Sequence, residues 1–164
     1  MSNKKYTPPP THDVALGKLQ YYCAYQDRCH QEVRSKLLDL GLRGHDLEVI
    51  IAELIEEDFL NEERFARSYA RGKFRIKRWG RIRIRQELKR RKISAYCIRK
   101  GMSEIDETDY LNTLESVLWT KKKILRPDKV FNQKNKLAQH GIRRGFESAL
   151  VWETVHGLFD SEER

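Results

Sequence analysis

Residues 71–92 concentrate the side chains of this chain that are best suited to binding anions. The segment holds twelve basic residues and a single acid, Glu87. The basic residues are Arg71, Lys73, Arg75, Lys77, Arg78, Arg81, Arg83, Arg85, Lys89, Arg90, Arg91 and Lys92. Eight of them are arginines, whose planar guanidinium group suits phosphate and carboxylate equally well. The segment predicts contact with a nucleic acid or with an acidic protein surface; a solvated face is the third alternative.

Two aromatic residues interrupt this basic segment. Either could stack on unpaired nucleic-acid bases, as aromatic side chains do in proteins that bind single strands. For Phe74 we favour packing in the protein core. For Trp79, which precedes Gly80, core packing and a binding role both stay open. Trp79 therefore joins the basic residues from Arg71 to Arg91 as a predicted contact residue.

The composition agrees with a polyanion partner. The 164 residues carry a formal net charge of +9, and 35% of them are charged. No run of about 18 apolar residues occurs, so no membrane span is expected. The N-terminal segment has three consecutive prolines and no apolar stretch typical of a signal peptide. Three cysteines without a clustered framework suit free thiols, so we expect a cytoplasmic protein.

Sequence patterns typical of enzymes and metal sites are absent. We find no nucleophile elbow, phosphate-binding glycine loop or paired-histidine helix. Cys23, Cys29, His30 and His45 are spaced too irregularly for a zinc module, which uses paired ligands. We therefore expect no catalytic residue, no metal and no cofactor.

The pattern of apolar residues predicts an all-α protein. Leu47, Ile50, Ile51 and Leu54 follow the spacing of one face of a helix, and residues 11–126 contain no proline. Further stripes of this kind recur along the chain. Asn61 and Ser94 are typical helix N-caps, and Gly41 and Gly141 are typical residues just past a helix end. The first helices of three groups are expected at 14–26, 61–78 and 107–124.

A threefold repeat with a period near 50 residues links these helices. The aligned sets are Leu37, Leu88 and Leu137, and then Leu42, Ile93 and Ile142. Such a period predicts three tandem three-helix repeats that form an elongated, curved molecule. The predicted divisions are a flexible tail (1–13), repeat 1 (14–58), a basic repeat 2 (59–106), repeat 3 (107–158) and a flexible C-terminus (159–164).

The basic segment has a competing interpretation as two β-strands. Phe74, Ile76, Ile82 and Ile84 alternate with basic residues around Trp79-Gly80, which is typical of a hairpin. The repeat register favours two helices instead, because it places Ile84 and Leu88 at the helical positions of Val33 and Leu37. Gly80 is then the break between the helices.

Residues 60–94 resemble the RecX family of bacterial recombinase regulators. The residues that carry the resemblance are Leu60, Glu62, Glu63, Arg64, Phe65 and Ala66, followed by Gly80, Ile84, Glu87 and Leu88. YYCAYQDRCHQEVRSKLLDLGL in repeat 1 resembles members of the Bacteroides type, and the whole resemblance covers roughly 14–156. Asn61 replaces a frequent aspartate and Lys92 a frequent glycine, which places a lysine in a left-handed turn.

The resemblance implies a function in DNA repair and recombination. Family members are non-enzymatic proteins of three three-helix repeats that bind RecA nucleoprotein filaments, within the helical groove, and restrain their ATPase and strand exchange. Some also bind DNA, so single- or double-stranded DNA is a possible second partner. The net charge favours a monomer. The alternatives are a nucleic-acid-binding protein that acts without RecA and a structural adaptor.

Acidic residues gather in two other segments, 56–64 and 103–109. We favour their interpretation as charges at helix N-termini, where the helix dipole stabilises anions. The functional alternative is an acidic face that meets basic patches on a partner protein.

Overall fold

The structure, a computed structural model, describes residues 6–161. Within that range the chain forms nine α-helices and no β-strand. The all-α prediction is confirmed, and the hairpin alternative for the basic segment is wrong. Residues 1–5 of the predicted N-terminal tail and 162–164 of the predicted C-terminus lie outside the described residues.

The helices follow one another as three groups of three. The first group is α1 (His12–Tyr25), α2 (His30–Asp39) and α3 (Gly44–Glu56). The second is α4 (Glu62–Arg75), α5 (Arg81–Arg90) and α6 (Ala95–Met102). The third is α7 (Glu107–Lys123), α8 (Val130–Arg143) and α9 (Ser148–Asp160). The predicted three tandem three-helix repeats are therefore present.

Contacts divide the chain into two compact units. Unit 1 contains the described residues up to Phe65 and the short segment Arg91–Ile93. Unit 2 contains Ala66–Arg90 and the described residues from Ser94 onward. Unit 1 holds the first helix group, and unit 2 holds most of α4 together with the five helices α5 to α9.

Each unit has its own apolar core. In unit 1 the stripe on α3 that the sequence predicted packs against apolar residues of α1 and α2, including Leu19 and Leu37. In unit 2 three aromatic rings form the centre: Tyr110 lies 5.9 Å from Phe74 and 5.1 Å from Phe146 between ring centroids. Phe74 is 5% exposed, as expected for a core residue.

Two predicted helix starts are confirmed by their hydrogen bonds. The Asn61 side-chain oxygen accepts a bond from the backbone N–H of Arg64 at 2.8 Å, at the start of α4. The Ser94 hydroxyl accepts a bond from the backbone N–H of Cys97 at 3.2 Å, at the start of α6. In both cases the side chain satisfies a backbone donor that has no partner inside the helix.

The predicted alignment of the third repeat is wrong by one helical turn. Ile142 is still helical and is 42% exposed, whereas Phe146 is fully buried. Residues with positive φ stand before the buried residues Leu42, Ile93 and Phe146: they are Gly41, Lys92 and Gly145. The shift arises because α8 has 14 residues, whereas α2 and α5 have 10 each.

Gly41 follows the end of α2 as predicted, but Gly141 lies inside α8 and Gly145 takes the corresponding position. A Cβ atom on Gly141 would approach a Val151 methyl group to 3.0 Å and Leu118 to 3.3 Å. Gly141 therefore permits close helix packing rather than ending the helix. Lys92 has φ +57°, as the comparison with a family glycine predicted.

Both terminal boundaries differ from the predicted tails by a few residues. His12 and Asp13 belong to α1, and the His12 ring is 3.0 Å from Glu53. Phe159 and Asp160 belong to α9. Lys122 donates to the Leu158 carbonyl at 3.1 Å and lies 4.3 Å from the Phe159 ring centroid, so this end of α9 is held against α7.

Candidate polyanion-binding surface

The turn between α4 and α5 orients most of the basic segment. It rests on backbone hydrogen bonds to the turn between α8 and α9: the N–H of Gly80 donates to the Arg144 carbonyl at 2.8 Å. The N–H of Ile82 donates to the Gly145 carbonyl at 3.0 Å. A Cβ on Gly80 would lie 2.2 Å from the Gly145 backbone, so only glycine fits this crossing.

Arg81, a predicted contact residue, has its charge occupied inside unit 2. Its guanidinium pairs with Glu107, lies 3.7 Å from Glu147 and sits 3.9 Å from the Tyr110 ring centroid. Only 17% of the side chain is exposed. The Tyr110 hydroxyl accepts from the Arg81 N–H at 3.1 Å and donates to Glu147 at 2.5 Å. Burial, with the Glu147 bond, raises the pKa of Tyr110, so the phenol stays protonated.

Trp79 is half-buried at the corner between the two helices and is flanked by cations. The Arg83 guanidinium lies 4.0 Å from its ring centroid and the Lys73 ammonium lies 5.1 Å from it. These distances fit cation–π contacts within the fold. A base that stacked on the ring face next to Arg83 would first have to displace that side chain.

Arg71 shares an acidic partner with Arg67. Arg67 donates to Glu104 at 2.9 Å and Arg71 donates to its other oxygen at 3.2 Å. The hydrogen bond from Arg67 holds the pKa of Glu104 below its usual range, and Arg71 acts in the same direction. The carboxylate is therefore a fixed part of unit 2 at neutral pH.

The ion pairs of Glu104 with Arg67 and Arg71 predict that part of the folding stability is lost in acid. Because the folded-state pKa is lowered, the contribution is present above the unfolded carboxyl pKa, about 4.3, and is lost as pH falls through the folded value. We expect Glu104→Gln to be less stable than the wild type at pH 7, and the difference to shrink below pH of about 4. Urea unfolding of both proteins across pH measures this; a pH-independent difference would contradict it.

Four predicted contact residues are exposed and unpaired. Arg75, Lys77, Arg85 and Lys89 lie in solvent, and their side chains form no hydrogen bond or ion pair with another described residue. We call these four residues the open basic set. Charges without an internal partner gain most from an external anion, so this set is the part of the basic segment best placed to bind one.

The remaining predicted residues lie between these extremes. Arg78, at φ +53°, donates to the Ser116 hydroxyl at 3.0 Å, and Arg90 pairs with Glu87 at 2.7 Å while 74% of its side chain stays exposed. Arg91 belongs to unit 1 and so does not join the other residues within one unit.

Arg143, a basic residue near this surface, was not among the contact residues predicted from the sequence. A groove of about 430 Å³ in unit 2 is lined by Arg83 and Arg90 of α5 and by Arg143 at the end of α8. The exposed side chains of Ile82 and Ile142 also line it. The adjacent arginines 143 and 144 in the third repeat were the available signal, but their distance along the chain from α5 concealed the contact.

The acidic segments serve mainly within the fold. Asp106 caps α7 by accepting from the Asp109 N–H at 3.0 Å, and Asp58 pairs with Arg64 at 3.1 Å. Glu104 and Glu107 bind arginines, as described above. The acids at the starts of α4 and α7 agree with the favoured interpretation of charges at helix N-termini, whereas Asp58 and Glu104 pair with arginines instead.

Between residues 6 and 161, no group of three histidine, cysteine, aspartate or glutamate side chains is arranged to hold a metal ion. None of the helices in that range is both long and apolar enough to cross a bilayer.

Sequence comparisons find that this chain is similar to RecX proteins. The profile described as "RecX, second three-helix domain" matches residues 61–102. A regulatory protein RecX of Prosthecochloris aestuarii is 27% identical over 144 residues, covering 88% of this chain and 93% of that protein. A Streptococcus uberis relative of the same name is 28% identical over 87% of this chain, but this chain spans only 54% of its length.

Solved structures agree on the fold. The crystal structure of RecX from Lactobacillus salivarius superposes with a TM-score of 0.79 at 21% identity, covering 90% of this chain and 96% of that one. A second crystal structure, of a regulatory protein RecX, gives 0.80 at 20% identity over 89% of this chain and 73% of that one. At such identities the likeness establishes the helical fold.

Proposed function

We propose that this chain, which belongs to the RecX family of regulatory proteins, binds RecA nucleoprotein filaments and inhibits their ATPase and strand exchange. In this proposal the chain is a cytoplasmic regulator and has no catalytic activity of its own. The observation that carries the proposal is the open basic set, four exposed cations at the end of α4, in the following turn and on α5, within the repeat that matches the family profile.

The filament offers this surface two kinds of anion. DNA supplies phosphates and the protein supplies carboxylates, and arginine can bind both with paired hydrogen bonds. Three tandem repeats can contact more than one filament subunit, so that weak local contacts combine through multivalency. Bound in this way, the protein would exclude duplex DNA and hinder the subunit motions that accompany ATP turnover.

The test is the single-stranded-DNA-dependent ATPase of the cognate RecA, with this protein added well below one copy per RecA subunit. The test variant carries Arg75→Gln, Lys77→Gln, Arg85→Gln and Lys89→Gln. We expect its half-inhibitory concentration to rise at least about tenfold, since four exposed ion pairs each contribute a fraction of a kcal/mol. Arg81 is left unchanged because it holds Glu107 and Glu147 in the fold.

The matched control is Arg126→Glu with Lys129→Glu, between α7 and α8. Four neutralisations and two reversals both lower the formal net charge from +9 to +5. Inhibition lost in the test variant and kept in the control supports the proposed surface. Equal inhibition by both variants would reject the surface. No inhibition by the wild type, even at ratios that coat the DNA, would reject the RecA proposal and favour nucleic-acid binding without a recombinase.

A further inference from the structure

Helix α1 exposes two tyrosine rings that no core residue covers. Tyr21 and Tyr25 are 76% and 75% exposed, and they stand four residues apart on the same face of the helix. Lys18 lies on that face one turn earlier, whereas Ala15, Leu19 and Cys23 occupy the buried face. Aromatic side chains held so far into solvent add nothing to the core of unit 1, so they call for another explanation.

The two rings border a groove of about 580 Å³ within unit 1. Its wall also contains Tyr22, whose ring is covered by the Arg28 guanidinium at 3.8 Å, with the Lys36 ammonium 5.7 Å from the ring centroid. We call this feature the tyrosine groove. It has the size of a small-ligand site, but it is open along the helix rather than enclosed.

The charges around the tyrosine groove are of one sign. Lys18, Arg28 and Lys36 line it, and no carboxylate is among its lining residues. Glu32 approaches Arg28 from outside the groove at 4.0 Å, which leaves the two lysines as the cations without an acidic partner among the described residues. Arg28 is fixed further by a bond to the Tyr22 carbonyl at 3.3 Å.

From this arrangement we infer that the tyrosine groove binds single-stranded DNA. Bases stack on Tyr21 and Tyr25, and backbone phosphates contact Lys18 and Lys36. Aromatic rings beside cations form the usual surface for unpaired strands, because every base offers a flat face to stack on. In duplex DNA those faces are already stacked, and an acidic peptide would use the cations but would leave the two exposed rings without a role.

This site is distinct from the open basic set, which lies in unit 2. Only the choice of DNA over RNA rests on the proposed function, since RecA filaments assemble on DNA. The contact itself needs no recombinase, so it can be measured with purified protein and an oligonucleotide alone.

The experiment uses the full chain carrying the four glutamine substitutions of the open basic set, so that binding by that surface is reduced. Fluorescence anisotropy with a labelled oligothymidine strand of about 15 nucleotides gives the Kd. We expect Tyr21→Ala with Tyr25→Ala to raise the Kd at least about tenfold, because each stacked base is worth about 1 kcal/mol or more. Tyr21→Phe with Tyr25→Phe keeps the rings and is expected to stay within about threefold of the parent.

Two further strands of the same length complete the design. An abasic strand keeps the phosphates and removes the bases. The parent protein, which carries only the four glutamine substitutions, and its Tyr21→Ala, Tyr25→Ala variant should therefore bind this strand equally weakly. An oligouridine strand separates RNA from DNA. Circular dichroism melting checks that the exposed substitutions leave the fold intact.

Each other outcome overturns the inference. An unchanged Kd for the alanine variant, or tight parent binding to the abasic strand, would exclude base stacking. Tighter binding to oligouridine would exclude the DNA assignment. Because no recombinase is present, failure here leaves the ATPase proposal standing, and failure of the ATPase test leaves this site standing.

Discussion

Gly145→Ala is expected to lower the free energy of unfolding by about 3 kcal/mol, because a left-handed backbone and a steric clash add together. Gly145 has φ +95°, a conformation that alanine adopts only with strain. A Cβ at this position would lie 2.3 Å from the Cβ of Arg83 and 2.7 Å from its backbone nitrogen. Neither atom is the flexible end of a side chain, so relief requires the two turns to separate.

Urea unfolding followed by circular dichroism measures this change, with Gly157→Ala as the matched control. Gly157 lies in α9, and an added Cβ there meets no atom within 4 Å. In that open helical position alanine is expected to stabilise the protein by about 0.5 kcal/mol. If Gly145→Ala unfolded at the same urea concentration as the wild type, this result would contradict the close contact between the two turns.

Arg81→Glu is expected to destabilise the protein by about 3 kcal/mol, because it reverses a charge on a side chain that is only 17% exposed, although its partners Glu107 and Glu147 are more exposed. The substitution would place a third carboxylate beside Glu107 and Glu147 and would remove the cation above the Tyr110 ring. The new carboxylate could gain a proton in part, which limits the loss without restoring the pair.

Arg85→Glu is the comparison for this change, because it alters the same charge four residues further along α5 at an exposed position. Its expected effect on unfolding is within about 0.5 kcal/mol. Equal stability of the two variants in urea would contradict the structural role of Arg81. A loss of activity in an Arg81 variant therefore reports on partner binding only if the variant is shown to be folded.

Features that depend on neighbouring residues could be predicted from the sequence. The N-caps at Asn61 and Ser94 need only a hydrogen bond to a residue three positions away. The helix groups follow from apolar spacing. The register of the third repeat could not be predicted, because it depends on where α8 ends, and Ile142 and Phe146 are both plausible apolar endings in the sequence.

The candidate site was predictable in its charge but not in its pairing. The segment 71–92 identifies where cations gather, yet Arg81 meets Glu107 and Arg67 meets Glu104 only through the fold, 26 and 37 residues apart. The tyrosine groove was missed for a related reason. The sequence does not show whether a tyrosine is buried or exposed, so Tyr21 and Tyr25 drew no prediction. Only the fold places them on a different face of α1 from Ala15, Leu19 and Cys23.

The backbone crossing between the two turns has a consequence for the order of synthesis. The N–H groups of Gly80 and Ile82 find their acceptors at Arg144 and Gly145. These acceptors leave the ribosome more than sixty residues later, since 144 − 80 = 64. The basic turn thus emerges from the ribosome well before its anchor, and the nascent chain presents its densest positive charge without this anchor until residues 144 and 145 have been made.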